Sequence, residues 1–581
     1  MFSKIIAIIM SLVMSVSGTA FSLLGTAIDS IFELVCGIPY TSSALKDDFL
    51  NAIEVENVGF IDSETGYVKD TLAVFIDPDL SFYDRLDVLK SFGGTVIGWC
   101  APAELYIIKT FGMTHDEALE RCEKIQATEG VALAMPLYLS KTEEQVTPDD
   151  PFDYEIADDF INTENPIVWD ELNPGGRNWW LEAIHAREAW DYESYFQPVN
   201  IGVLDSGFDV THPELEGKIS FPNSKRAQKN RSSAHGCHVA GIIAANRNNA
   251  TGISGICDNA NLICVDWNPD LFQFWFTEIA IYFGFTEVVQ AGAKVINLSL
   301  GISSSVTNDK ASYYDRRLKP MATTLTMASL LSKGYDFVVV QSAGNGNSLG
   351  LPIDSTNNGH FTAVTENNVY TGKHDVSTEE ILGRILSVSA ANNGMYGTYY
   401  LAGYSNVGKY VDIAAPGTDI FSCCDPWYGE YTYMSGTSMS APCVTGVAGL
   451  IWSVNPDFTG IEVADILVNS TDTVAKISEF NVYIYDLDVM EYPMLNAKLA
   501  VEEAIRRTDD TVGTIKGIVL AEGADLIEFG GISYTVLSDG SFSFVAPAGN
   551  GVAVIKNASG EEIGSFELDF TAGETVDLGN I

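Results

Sequence analysis

The hydrophobic pattern changes character along the chain, and its longest regular part predicts a layered α/β unit. Between residues 178 and 505, near-continuous apolar runs such as VNIGVLD, AKVINLSLG and YDFVVVQSAGN alternate with helical segments. Strands that are apolar on both faces are typical of a parallel sheet covered by helices on both sides. In such sheets, functional sites gather at the carboxyl ends of the strands.

A smaller unit precedes this one. Residues 71–136 follow the order strand, helix, strand, strand, helix, strand, from TLAVFID to VALAMPLYL, and Thr114 is placed to cap the second helix. This βαββαβ order is that of a small ferredoxin-like α+β sandwich. Residues 142–173 are rich in acids and prolines, which predicts a linker or a loosely packed bridge.

After Thr511 the pattern changes again, to short alternating strands separated by glycine-containing turns. The dipeptide Asp539-Gly540 is a strong hairpin signal. The pattern predicts a small β-sandwich at the C-terminal end. Nothing in this part of the sequence indicates chemistry, so we expect a role in adhesion or spacing.

The first residues have the pattern of an export signal. Lys4 precedes an uncharged run, Ile5–Ile28, which contains small-residue cleavage candidates at Gly18–Ala20 and Gly25–Ala27. The run is also long enough to span a bilayer, so an uncleaved signal anchor stays open as the alternative. Both interpretations predict a secreted or cell-surface protein.

Composition excludes several kinds of partner. The 581 residues include 32 Lys and Arg against 77 Asp and Glu, which gives a formal net charge of −45. A surface of this charge repels nucleic acid and anionic membranes, so we expect neither as a partner. The nine cysteines are irregularly spaced and form no CxxC pair, which predicts buried small side chains rather than a zinc site.

Three residues of complementary chemistry follow strands or open helices in the α/β unit. Asp205 ends VNIGVLD, His235 opens HGCHVAGIIAA, and Ser438 lies in GTSMSAP at the start of an apolar helix. A serine hydroxyl becomes a nucleophile when a histidine takes its proton and a carboxylate fixes the histidine tautomer. Taken alone, GTSMSAP is also typical of hydroxyl groups that cap a helix, so the local sequence leaves both interpretations open.

The blocks VLDSGFDVTHPEL, HGCHVAGIIAA, INLSLG, SAGN and GTSMSAP, in this order, resemble the signature blocks of the subtilisin-like serine proteases. The resemblance covers roughly residues 178–505 and implies the subtilisin-like three-layer α/β fold with a mainly parallel central sheet. It implies that Asp205, His235 and Ser438 form a catalytic triad. It also implies that the Asn345 amide donates a hydrogen bond to the oxyanion.

Substrate binding follows from the same resemblance. The backbone of Ser299, Leu300 and Gly301 is expected to pair with an extended polypeptide substrate. The segment Trp267–Glu278 lacks the glycine-rich edge that relatives often offer to the substrate, so its subsites cannot be carried over. No cofactor is expected for the chemistry. A structural calcium site at Glu214 and the loop Asn246–Gly252 stays open, with no ligands assigned.

The resemblance further implies how the chain is divided. We expect a signal peptide at 1–27, a propeptide at 28–145 whose ferredoxin-like domain (71–140) is an intramolecular inhibitor, a catalytic domain at 146–508, and the β-sandwich at 509–581. The expected protein is a secreted serine endopeptidase that works through an acyl-enzyme. The alternative is a catalytically silent surface protein that keeps the fold and binds peptides.

Overall fold

The computed structural model describes residues 44–62, 65–141, 178–222, 234–249, 252–266, 275–301, 317–346, 351–392, 398–424, 430–477 and 490–581. The predicted signal peptide and the predicted linker at 142–173 lie outside these ranges.

The N-terminal unit is an antiparallel sheet with two helices. Its elements are β1 (Leu45–Lys46), β2 (Val58–Phe60), β3 (Thr65–Ile76), α1 (Phe82–Ser91), β4 (Thr95–Cys100), β5 (Leu105–Lys109), α2 (His115–Gln126) and β6 (Val131–Lys141). The sheet order is β1-β4-β5-β3-β6, and β2 pairs with β3. Thr114 and Glu117 form a capping box at the start of α2, as predicted for Thr114.

The side chains of β3 point alternately into two different apolar cores. Leu72 and Val74 pack with the apolar side chains of α1 and α2. Ala73 and Phe75 point to the opposite face and belong to a second core that includes residues of the middle unit. Because strand side chains alternate between faces, one strand contributes to both cores.

The middle unit alternates strands and helices over most of its length. Its strands are β7 (Val199–Asp205), β8 (Ile219–Ser220), β9 (Ala260–Asp266), β10 (Trp275–Thr277), β11 (Val295–Leu298), β12 (Val338–Ser342), β13 (Ile385–Asn392), β14 (Tyr399–Leu401), β15 (Ile413–Pro416), β16 (Ile420–Cys423), β17 (Tyr431–Met434), β18 (Val474–Lys476) and β19 (Glu491–Pro493). Its helices are α3 (Trp179–Ala183), α4 (Ala186–Trp190), α5 (His235–Ala244), α6 (Glu278–Gln290), α7 (Lys319–Ser332), α8 (Thr378–Leu382), α9 (Thr437–Val454), α10 (Gly460–Asn469) and α11 (Ala497–Thr508).

The central sheet of this unit is mainly parallel. Strands β13, β12, β11, β7, β9 and β8 are neighbours in that order, and each adjacent pair is parallel. Residues of α5 and α9 share one core with one face of the sheet, while residues of α6 and α7 share another core with the opposite face. This three-layer arrangement confirms the predicted α/β fold class.

The register of the sheet brings candidate residues to one edge. Leu204 of β7 pairs with Leu298 of β11, so Asp205 and Ser299 follow at the same level. Leu298 in turn pairs with Gln341 of β12, which places the segment leading to Asn345 beside them. The carboxyl ends of neighbouring parallel strands therefore meet where the sequence predicts a site.

Helix α9 is the central core helix of the unit. It is long and apolar enough to cross a membrane, but 94% of its apolar window is buried inside the protein. It packs against α5, β11, β12 and β13. The eight cysteines within the described ranges are also buried, which confirms their interpretation as small core side chains.

The C-terminal unit consists of two small sheets. Its strands are β20 (Val512–Ile518), β21 (Leu526–Phe529), β22 (Ile532–Thr535), β23 (Ser541–Pro547), β24 (Gly549–Lys556), β25 (Glu562–Phe570) and β26 (Thr575–Asn580). The sheet orders are β23-β20-β26 and β22-β21-β24-β25. Apolar residues of both sheets, including Ile515 and Ile527, join the same core as α9.

Polar contacts also fix the C-terminal unit to the middle unit. The Asp191 carboxylate accepts hydrogen bonds from the Thr535 backbone N–H at 2.8 Å and from the Thr535 hydroxyl at 3.2 Å. The Tyr192 hydroxyl accepts from the Val545 N–H at 2.9 Å and donates to Glu502 at 2.8 Å. Burial raises the pKa of Asp191 to about 7, although the bonds from Thr535 favour its charged form.

This pKa predicts a pH-dependent stability. The pKa of Asp191 is higher in the folded protein than in the unfolded chain, where it is about 3.9. The stabilising effect of the proton is therefore complete below pH 4 and is lost as the pH rises through about 7. In a Ser438→Ala background, which removes the predicted nucleophile, we expect the Asp191→Asn variant to gain Tm relative to the protein that retains Asp191 as the pH rises from 4 to 8.

Scanning calorimetry across this pH range measures the difference. Asp510→Asn removes a carboxylate at an exposed position and is the control for loss of one negative charge. Parallel Tm curves for the protein that retains Asp191 and for its Asp191→Asn variant would contradict the buried, proton-binding carboxyl group.

Candidate active site

Two of the predicted catalytic residues are in direct contact. Asp205 is the last residue of β7, and His235 is the first residue of α5. The Asp205 Oδ1 atom lies 2.6 Å from His235 Nδ1 and also accepts the Ser206 backbone N–H at 2.7 Å. An ionised carboxylate can only accept hydrogen bonds, so Nδ1 carries the imidazole proton. The basic nitrogen of neutral His235 is therefore Nε2.

The loop after β7 holds the first turn of α5. The backbone N–H groups of Gly236 and Cys237 donate to the carbonyls of Ser206 and Gly207 at 2.8 and 2.9 Å. These bonds satisfy N–H groups that a helix start leaves without an intrahelical partner. They also place His235 directly above the end of the strand that carries Asp205.

Ser438 is the accessible residue of an otherwise buried segment. It is the second residue of α9, and every other residue from 436 to 454 is buried. The helix has Gly436 at its N-cap position and no side-chain cap, so the capping interpretation of Ser438 is wrong. The Ser438 hydroxyl instead donates to the Ser299 carbonyl at 3.3 Å, a long hydrogen bond that is easily exchanged.

Pro442 explains a second contact between these two serines. Because proline has no N–H, the Ser438 carbonyl four residues earlier has no donor within the helix. The Ser299 hydroxyl donates to it at 2.7 Å. Behind Ser299, the Asn297 amide donates to the Ser299 hydroxyl at 3.0 Å, and the Thr445 hydroxyl donates to Asn297 at 2.9 Å. A buried chain of hydrogen bonds thus ties the start of α9 to the end of β11.

The Asn345 side chain has one defined orientation. Its Oδ1 atom accepts both the Thr437 backbone N–H and the Thr437 hydroxyl, each at 2.9 Å. The Gly344 N–H donates to the same hydroxyl at 3.1 Å, and Gly344 has φ of 102°, a conformation that favours glycine. Because Oδ1 is held by Thr437, the Asn345 amide presents its N–H groups elsewhere.

Two donors lie beside the space at Gly436. A Cβ atom added to Gly436 would be 3.3 Å from Asn345 Nδ2 and 3.6 Å from the Ser438 backbone nitrogen. Glycine at this position therefore leaves the space between the two nitrogen atoms open. Two nitrogen donors that border one small space could together stabilise a negative oxygen atom there, as the sequence predicts for an oxyanion.

The predicted substrate-binding segment follows β11. The Ser299 carbonyl accepts from Ser438, as described above. The Leu300 carbonyl accepts from the side chains of Gln341 and Ser342 at 3.1 and 3.3 Å, so it points into the fold. Pairing of this segment with a substrate stays a prediction. The Leu300 carbonyl is already hydrogen-bonded inside the fold, so this group does not take part in the predicted pairing.

Sequence reasoning missed a strand in the segment Trp267–Glu278. Strand β10 pairs antiparallel with the end of β6 from the N-terminal unit, with Thr277 opposite Leu139 and Trp275 opposite Lys141. Its sequence, WFT, is too short and too close to α6 to be separated from the helix by periodicity. The pairing adds a strand from the sequence of the middle unit to the edge of the N-terminal sheet.

The Glu214 carboxylate is buried and hydrogen-bonded. One oxygen accepts from the Ile253 N–H at 2.8 Å and the Tyr431 hydroxyl at 3.2 Å, and the other from the Asn249 amide at 2.8 Å. Burial nevertheless raises the pKa of Glu214. Within the described ranges, no three His, Cys, Asp or Glu side chains group to hold a metal ion. Residues 250–251 lie outside those ranges, and the calcium site stays a prediction.

Comparison of this sequence with known proteins finds one family and several relatives. The profile of the peptidase S8, or subtilase, family matches residues 197–488, which is half of the chain. The thermophilic serine proteinase of Bacillus sp. strain AK1 is 32% identical over 302 residues, which cover 51% of this chain and 62% of that protein. Thermitase of Thermoactinomyces vulgaris is 29% identical over 52% of this chain and 90% of its own length.

A solved structure resembles more of the chain. The crystal structure of fervidolysin from Fervidobacterium pennivorans, described as a keratinolytic enzyme related to subtilisin, covers 90% of this chain and 79% of its own, with a TM-score of 0.52 and 20% identity. At this identity the likeness supports the fold alone. The chain spans about three-fifths of the length of the Bacillus proteinase.

Proposed function

Because the chain belongs to the subtilase family, we propose that it is a serine endopeptidase that hydrolyses peptide bonds through an acyl-enzyme. The observation that carries the proposal is the 2.6 Å contact between Asp205 and His235, combined with one accessible hydroxyl, Ser438, at the start of a buried helix. The proposed substrates are polypeptides. The chemistry is assigned to side chains and backbone groups without a cofactor.

The proposed reaction begins when the Ser438 hydroxyl turns from the Ser299 carbonyl to His235. His235 Nε2 takes the hydroxyl proton as Oγ attacks the scissile carbonyl, and Asp205 stabilises the imidazolium that forms. His235 then gives this proton to the leaving amine, which departs and leaves the acyl group on Ser438. Water, activated by the same nitrogen, hydrolyses the ester and restores the hydroxyl.

Asn345 and the backbone N–H of Ser438 are the proposed oxyanion donors. The negative charge develops on the carbonyl oxygen during attack, so donors placed beforehand stabilise the transition state more than the substrate. Removal of one such donor in subtilisin costs about 2.7–4 kcal/mol, and we transfer that magnitude. The two hydrogen bonds from Thr437 keep the Asn345 amide in place before substrate arrives.

Reaction with an active-site-directed fluorophosphonate tests the proposal. We expect labelling of the mature protein at Ser438, identified by peptide mass spectrometry, and no labelling of Ser438→Ala. Ser440→Ala is the matched control, because Ser440 lies on the same helix turn and is fully buried. Absence of labelling in the mature wild-type protein would favour the catalytically silent, peptide-binding alternative.

The oxyanion assignment predicts a specific kinetic change. Asn345→Ala should lower kcat by about 10²- to 10³-fold with little change in KM, because the donor acts mainly in the transition state. Thr437→Val should cause a smaller loss, about 10-fold, since the backbone N–H of Thr437 still holds the amide. Steady-state kinetics on a chromogenic peptide measure both. Unchanged turnover in Asn345→Ala would refute the role.

We also propose that the N-terminal unit is an inhibitory prodomain. Its sheet shares an apolar core with α6 and α7, in which Phe49 and Phe283 pack edge to face at 6.0 Å. Lys333 pairs with the buried Glu104 at 2.8 Å, and the Ser329 hydroxyl donates to the Pro102 carbonyl at 2.6 Å. Such a mixed apolar and polar interface suits a partner that is retained until it is cleaved.

The strand pairing supports a position for the prodomain tail. Strand β10 lies in the segment where relatives offer an edge to the substrate, and Leu139–Lys141 already pair with it. A chain that leaves β6 in this direction would continue extended, as a peptide does in recognition by strand addition. We therefore propose that the tail enters the cleft as a substrate does.

This geometry predicts where the chain matures. We expect self-cleavage within Leu139–Glu144, on the carboxyl side of Lys141, because the residues before that point are paired with β10. Ser438→Ala should accumulate as a precursor, since it lacks the nucleophile. N-terminal sequencing of both proteins, expressed side by side, decides the matter. An identical processed N-terminus in both would show that another protease makes the cut.

Export is the proposed setting for this activity. The predicted signal segment supports it, and a net charge of −45 suits a soluble protein outside the cell. Detection of the mature protein in the culture medium, or on the cell surface, would separate cleavage of the signal from retention as an anchor.

A further inference from the structure

Two buried histidines follow the proposed catalytic residues in the sequence and have no part in the proposed reaction. His212 is in the loop that follows β7, the strand of Asp205. His238 is on α5, one helical turn after His235. Their side chains are 1% and 0% exposed, so neither can contact a substrate.

Both rings contact the same hairpin, which is formed by β16 and β17. His212 Nε2 lies 2.7 Å from the Glu430 carbonyl. His238 Nε2 lies 3.0 Å from the Ile420 carbonyl and 3.2 Å from the Thr432 carbonyl. The Ser422 hydroxyl of β16 also donates to the His238 backbone carbonyl at 2.8 Å.

The partners determine the tautomer of each ring. Carbonyl oxygens only accept hydrogen bonds, so Nε2 carries the proton in both histidines. His212 Nδ1 accepts the Glu214 backbone N–H at 3.2 Å, and His238 Nδ1 has no hydrogen-bond partner among the described residues. Both rings are therefore neutral donors. Burial, with a smaller effect of His235, lowers the pKa of His238 to about 3, so this donor does not titrate near neutral pH.

The hairpin leads directly to Ser438. Ile420 of β16 pairs with Met434 of β17, and the Gly436 N–H donates to the Gly417 carbonyl at 2.7 Å, which continues the pairing to the residue before α9. A shift of the hairpin relative to α5 would therefore move the start of α9 relative to His235.

We propose that His212 and His238 are positioning residues that hold the β16–β17 hairpin, and through it Ser438, in place relative to Asp205 and His235. His212 is in the loop that follows Asp205, His238 is one turn after His235 on the same helix, and each donates to the hairpin that precedes Ser438. This inference rests on the proposed function, because it assigns a role in serine-protease chemistry. Misplacement of a reacting group by about 1 Å can lower the rate by about 10²-fold.

Two isosteric substitutions at His238 test the position of the donor. Gln places its amide nitrogen near the position of Nε2, whereas Asn is also polar but places it near Nδ1 and cannot reach the hairpin carbonyls. We expect His238→Asn to lower kcat by about 10- to 100-fold with less than a 2-fold change in KM. His238→Gln should recover most of the loss. The rate of fluorophosphonate labelling should follow kcat.

The control removes a similar buried donor at the opposite end of α9. Trp452 donates its indole N–H to the Phe458 carbonyl at 2.7 Å, and Trp452→Phe should lower Tm while leaving kcat unchanged. Precursors are matured with a trace of affinity-tagged wild-type enzyme, which is then removed. If His238→Asn does not fold, His212→Asn and His212→Gln provide the same comparison at the other ring.

Each outcome decides the inference. Wild-type kcat in His238→Asn would overturn it, and so would equal kcat losses in the Asn and Gln variants, which would indicate a packing role alone. A kcat loss in Trp452→Phe as large as that in His238→Asn would show that any loss of stability lowers turnover, and would overturn it as well. A wild-type protein that neither cleaves peptides nor reacts with fluorophosphonate would instead overturn the proposed function, and this inference with it.

Discussion

The burial of helix α9 is the constraint on which the rest of the structure depends. Its residues fill the space between α5 and the strands β11, β12 and β13, and Ser438 is the exception to complete burial between residues 436 and 454. A close-packed helix cannot shift without a loss of contacts on every side. Its first turn is therefore held in place by packing, which is what the proposed nucleophile, Ser438, requires.

The hydrogen bonds at the start of α9 both complete the helix and build the site. The orphan N–H of Thr437 is satisfied by Asn345, and the carbonyl of Ser438 that Pro442 leaves without a donor is satisfied by Ser299. Because these partners come from the segments that follow β11 and β12, the helix needs no side-chain cap of its own. The residues that stabilise the helix end are thus the residues proposed to stabilise the oxyanion and bind the substrate.

The N-terminal unit packs against the middle unit through the face of its sheet that its own helices leave uncovered. Leu72 and Val74 are covered by the helices of the unit itself, whereas Ala73 and Phe75 belong to the core shared with α6 and α7. A sheet that is apolar on both faces must be covered on both. The same requirement brings the end of β6 alongside β10, so the covering of the sheet and the position of Leu139–Lys141 have one physical cause.

The sequence by itself determined the structural class of each of the three units. It also identified the residues whose side chains are suited to catalysis. Hydrophobic periodicity is a local property, so the parallel sheet, the βαββαβ order and the C-terminal strands could be predicted from it. Thr114 could be predicted as a cap because its partner, Glu117, is three residues away.

The tertiary structure alone decided the rest. Ser438 contacts Ser299 across 139 positions and Asn345 is oriented by Thr437 across 92. Strand β10 is defined by its pairing with the distant β6. The Leu300 carbonyl points inward because it accepts a hydrogen bond from Gln341. Such contacts form only when the whole sheet is assembled, because their partners belong to different strands and helices.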